Sequence, residues 1–243
     1  MDLARLLTLQ LIAHLLSDFI LQPDAKSKEK NISGFRSNYL KWHILFTFLC
    51  SFILSFQLSF FFAAALISIL HWVIDGLKRK IDKISILGDY TFFIDQALHV
   101  TSIIIITLFF SRIFEIRPAF PVEISFRFLM IICGYLVCAK PSNVIIKEII
   151  KVFNISIEKN NPDAQNLPNA GRLIGTIERW LVFTFILLSQ YELIGFLIAA
   201  KSILRFRDDD TIKSEYVVVG TMLSFGLAIA TGILTTIIPG NIS

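Results

Sequence analysis

Four histidines and three aspartates carry the chemistry this sequence offers. His14, His71 and His99 each have an aspartate four residues away, in "HLLSD" (14–18), "HWVID" (71–75) and "DQALH" (95–99). At that spacing both side chains share a helix face. His43 is the fourth histidine, and all four precede residue 100. Imidazole and carboxylate together suit zinc, iron or manganese. An aspartate at the centre of a membrane helix costs about 2.5–3.5 kcal/mol on insertion scales, so ionisable groups in apolar segments mark function. The simplest common partner is a divalent metal, zinc first and iron or manganese next. His14, His43, His71, His99, Asp18, Asp75 and Asp95 are the candidate ligands, a set large enough for two ions. Some aspartates would instead orient a ligand histidine. A proton or ion pathway and purely structural His–Asp pairs are the competing readings.

The segments that must position these groups are apolar. The chain has 243 residues, 55% hydrophobic and only 17% charged, with 23 phenylalanines. Several apolar runs approach the roughly 20 residues needed to cross a bilayer. Continuous apolarity, not alternation, selects helices over a barrel. The expectation is an all-α polytopic membrane bundle of about eight spans: 3–22, 40–56, 58–76, 90–110, 126–146, 173–190, 191–206 and 215–238. The seventh is short and polar, which leaves six or seven open. The polar stretch 154–170, rich in Asn and Pro, divides an N-terminal bundle (1–153) carrying the His/Asp groups from C-terminal helices (171–243).

Lysines and arginines crowd alternate connections: 26–41, 78–83, 140–179 and 201–213. The positive-inside rule then places both termini outside and these loops in the cytoplasm of a bacterial inner membrane. On that topology each aspartate lies nearer the cytoplasm than its histidine, by about 6 Å along the helix. A net charge of +4 spread over membrane-flanking loops suits the bilayer and its anionic headgroups and disfavours nucleic acid. Lys78, Arg79, Lys201 and Arg205 are candidates to hold an anionic headgroup. With Glu178 and Arg179, the C-terminal ones read equally as inter-helix ion pairs or snorkelling side chains. Cys50, Cys133 and Cys138 fit neither a zinc spacing nor a disulfide framework. No phosphate-cradling loop or nucleophile elbow is present, and nothing in the sequence sets an oligomeric state.

The segments "LIAHLLSDFILQPDAKSKEK", "HWVIDGLKRK", "FIDQALH" and "IGFLIAAKSILRF…SEYVVVGTMLSF" resemble the bacterial membrane family known as domain of unknown function 3307. The N-terminal motifs cover roughly residues 7–100. That family brings no activity with it. In residue types alone, the pattern is also similar to small inner-membrane metal-dependent hydrolases. That likeness implies hydrolysis of a lipid or other membrane-associated substrate. His71, His99 and His14 would be the main ligands, Asp18, Asp75 or Asp95 a ligand or general base, and His43 would complete the site. A proton or divalent-metal transporter would use the same residues, but "FTFLCSFILSF" (46–56) and "IIIITLFF" (103–110) offer it no polar lining. A membrane scaffold or sensor would need only the His–Asp pairs.

Overall fold

The computed structural model describes residues 1–84, 87–120, 124–155, 168–205 and 211–240, and the backbone alone at 168–169, 204–205, 211–217 and 239–240. Every regular element among them is helical. Contacts divide the chain into Met1–Cys133 and Gly134–Ser243.

In the first unit, α1 (Leu3–Leu15) starts where the Asp2 side chain accepts from the Arg5 amide. It runs into a π turn, Leu16–Ile20. Pro23 precedes α2 (Asp24–Ser33), and Gly34, at φ 57°, ends it in the left-handed region. Ser37 caps α3 (Asn38–Ser55) through the Leu40 amide. Then follow α4 (Phe61–Asp82) and α5 (Thr91–Ile113). α1, α3, α4 and α5 close a ring in that order, and α2 lies on α3 and α4.

This bundle is apolar outside and polar over part of its interior. Phe62 is 79% exposed and Phe109 64%, as lipid-facing side chains are. Inside there are three strata. One end is packed by Leu6, Phe60, Ala64, Ile67, Ile103 and Phe110. In the middle, Gln10 donates to the Ser51 carbonyl (3.1 Å) and accepts from the Ser51 hydroxyl (2.5 Å). The other end holds the histidines and aspartates.

α6 (Phe126–Cys138), in which the division falls, and α7 (Lys140–Val152) of the second unit form one interrupted helix, bent by 46°. Pro141 has no N–H, so the Val137 carbonyl lacks its helical donor. The Ser142 hydroxyl takes that place at 2.7 Å. α8 (Pro168–Leu187) packs on α7, α9 (Tyr191–Arg205) and α10 (Thr211–Gly240).

Among the described residues four helical stretches are long and apolar enough to cross a membrane: Leu3–Ile20, Leu58–Asp82, Gly88–Ile113 and Val218–Ile238. The bent pair would make a fifth. That is fewer than the six to eight the apolar runs suggested. α9, with 15 residues, spans only about 22 Å, short of a hydrocarbon core of about 30 Å. α8 carries Arg172, Glu178 and Arg179, and α3 opens with Asn38, Lys41 and His43. The expected continuous span 126–146 is two 13-residue helices. Of the 154–170 stretch, residues 156–167 lie outside the described residues, as does the side chain of Arg205.

Candidate metal centre

His14 comes from α1, Asp18 from the π turn, His43 from α3, His71 and Asp75 from α4, and Asp95 and His99 from α5. The helical repeat explains three of the pairings. The π turn explains the placing of Asp18: its wider turn, with the Leu21 amide on the Leu16 carbonyl at 2.8 Å, re-aims the carboxylate. Ser17 secures it, its hydroxyl 3.0 Å from the His14 carbonyl and 3.1 Å from Asp18 Oδ1. The structure brings all seven predicted groups together, with side chains 0–7% exposed.

Their nitrogen and oxygen atoms converge. His43 Nε2 and His71 Nε2 are 3.0 Å apart. Asp18 Oδ1 lies 3.6 Å from the first and 3.3 Å from the second. Asp75 Oδ2 lies 3.4 Å from each. A tetrahedral ion with ligands at about 2.0–2.1 Å has ligand edges of about 3.3–3.4 Å. Both triangles match such a face. His14 Nδ1 is 3.6 Å from Asp18 Oδ1, and His14, Asp18 and His71 offer atoms within 4.8 Å of one another. So do Asp75, Asp95 and His99, where His99 Nε2 is 3.6 Å from Asp95 Oδ1 and 3.8 Å from Asp75 Oδ1. These groups could hold a metal ion.

Around these triangles, hydrogen bonding leaves several buried atoms without partners. His14 Nδ1, both nitrogens of His99 and Asp95 Oδ1 are buried without one. Gln96 makes the His14 case definite. Its amide nitrogen faces Asp95 Oδ2 (3.2 Å), which can only accept, so its oxygen faces His14 Nε2 (3.2 Å). That network assigns the His14 proton to Nε2 and leaves a lone pair on Nδ1, aimed towards a carboxylate oxygen. Two electron-rich atoms so placed call for a cation between them.

Two lysines complete the ring. Lys30, on α2, donates to Asp75 Oδ2 at 2.7 Å, and Lys78 to Asp95 Oδ2 at 2.8 Å. Lys78, a headgroup candidate in the sequence, is thus engaged with a carboxylate. Arg79 is exposed beside it. In the second unit Lys201 bonds Glu178 at 2.5 Å, the ion-pair alternative for that residue. Lys30 and Gln96 escaped the sequence reading. Gln96 had a signal, an amide inside an apolar helix. Lys30 had none, being one lysine among several in "DAKSKEK". What brings it inward is packing: at Gly76 the Phe35 ring lies 2.1 Å from where a Cβ would stand, so the turn after α2 seats directly on α4.

Residues 6–126 match the model of the family described as "Protein of unknown function (DUF3307)". Through this stretch, which contains all seven groups and both lysines, the chain belongs to that family. No curated protein and no solved structure matches.

Proposed function

From membership of a family that carries no activity with it, and from the donor geometry, we propose that this chain is an inner-membrane metal-dependent hydrolase. Its substrate would be a lipid or another membrane-associated ester or amide. Zinc is the expected ion, with iron or manganese next. One observation carries the reading: His43 Nε2 and His71 Nε2 lie 3.0 Å apart, with Asp18 Oδ1 3.6 and 3.3 Å from them, a three-atom face at near-tetrahedral spacings. A three-ligand face leaves a fourth position for water or a substrate oxygen, the arrangement of catalytic zinc.

When bound, the metal would acidify a water and polarise the scissile group. The chain's residues supply the rest. Asp95 Oδ1, without a hydrogen-bond partner, is the group to accept the proton released. Gln96 fixes the His14 tautomer. α2 lies on this end of α3 and α4 and brings Lys30 onto Asp75. The basic connections orient this end towards the cytoplasm, with both termini outside, and Arg79, exposed beside Lys78, would meet an anionic headgroup. A transporter is disfavoured by the apolar stratum from Leu6 to Phe110, which closes the far half of the bundle.

The test is metal content by inductively coupled plasma mass spectrometry, wild type beside His43→Leu/His71→Leu. Stoichiometric zinc, iron or manganese, lost in the variant, is expected, followed by release of a headgroup from loaded vesicles. No metal after reconstitution with each ion in turn sinks the proposal.

A further inference from the structure

We infer that the centre takes one metal ion, not two, because Lys30 and Lys78 stand where the charge of a second ion would go. This rests on the metal reading above. The seven groups make three overlapping sets: the middle one, His43, His71 and Asp75, shares His71 with the first and Asp75 with the last. His14, Asp18 and His71, with His43 beside them, face no lysine within contact. Asp75, Asp95 and His99 form the last set, and each of its carboxylates gives one oxygen to a buried ammonium group. The Lys30 side chain is 4% exposed and that of Lys78 16%. Neither is a surface pair.

Charge decides the count. With neutral imidazoles, three aspartates and two lysines leave one net negative charge. One divalent ion turns this into one positive charge, which a hydroxide or a singly charged substrate oxygen would neutralise. Two divalent ions beside both lysines would leave three positive charges in a buried site, without the partners that buried charge requires. The last set is therefore a cation site filled from within the chain, and the histidine-rich set is the one open to metal. Lys30 reaches in from α2, a helix outside the membrane-crossing stretches, held down by the fit of Phe35 on Gly76. The substrate class follows: a linkage whose reacting group carries one negative charge, as a phosphodiester does.

The experiment is manganese loading followed by electron paramagnetic resonance and metal analysis, on wild type and on Lys30→Met/Lys78→Met. The expected result is one isolated ion per wild-type chain and two exchange-coupled ions in the variant. Should the double variant not fold, Lys78→Met alone is read the same way, with a second equivalent bound at least about tenfold more tightly than by wild type. A coupled pair in the wild type overturns the inference and leaves the metal reading standing. So does a single ion in a folded variant. Metal in the variant alone would keep the lysines as the native cations and remove the metal reading. No ion in either protein removes both.

Discussion

Arg179 in the second unit and the His/Asp cluster in the first are both buried and ionisable, but their polar atoms are served differently. Arg179 is 1% exposed. Its Nε donates to the Cys138 carbonyl at 2.7 Å and its Nη1 to Ser224 Oγ at 3.0 Å. Its Nη2 meets Asn143 Oδ1 at 2.7 Å, Thr176 Oγ1 at 3.2 Å and the Ala139 carbonyl at 3.3 Å. Those acceptors are neutral oxygens, two of them carbonyls where α6 breaks, at the negative end of its dipole. The guanidinium staples the break that Pro141 creates. In the cluster the atoms converge instead on shared points and leave several among them unserved. A buried charge with its bonds made is architecture. Convergent donors with bonds unmade are a seat for something else.

Four substitutions sharpen or break that contrast. The largest effect belongs to His71→Leu, which takes away one of the two nitrogens common to the triangles around Asp18 and Asp75. Bound metal should fall to background, and stability should fall by about 1–3 kcal/mol, because His43, Asp18 and Asp75 lose the ring nitrogen they face. Equal metal content in wild type and variant would break the contrast outright. Next, Arg179→Met should cost about 3 kcal/mol or more, since it strands several buried acceptors at once. Thermal unfolding in detergent reads this, and metal content should not move. Third, Gln96→Leu frees the His14 ring to choose its tautomer, and metal affinity should fall about 10- to 100-fold, measured by competition with a chelator. Smallest is Ser142→Ala, which leaves the Val137 carbonyl without its donor for about 1 kcal/mol, again with metal unchanged.

Six of the seven groups were legible because an i, i+4 spacing translates directly into one helix face, and three such pairs agreed in depth; His43 was legible as the fourth histidine, at the start of an apolar run. The helical character of the chain was legible for the same local reason. What was not legible depends on neighbours distant in sequence. Lys30 reads as one more loop charge until α2 is seated on Gly76. Lys78 reads as a headgroup contact until α5 brings Asp95 within 2.8 Å. Arg179 could be grouped with Glu178 as a wall or an ion pair, and neither reading contained carbonyls freed by a helix break 40 residues earlier. Of the six to eight spans the apolar runs suggested, four stretches, or five with the bent pair, are long and apolar enough among the described residues, because length and charge limit the others.

The π turn at Leu16–Ile20 has a consequence in the language of insertions and deletions. Such a turn holds one residue more than the α-helix around it would need. Removing a single residue there would close the wide turn into a regular helix and take away the bulge that aims Asp18. Asp18 would then leave the facing set, although every histidine and aspartate was still present. Chain length between His14 and Pro23 should therefore resist change as firmly as the identity of the ligands themselves.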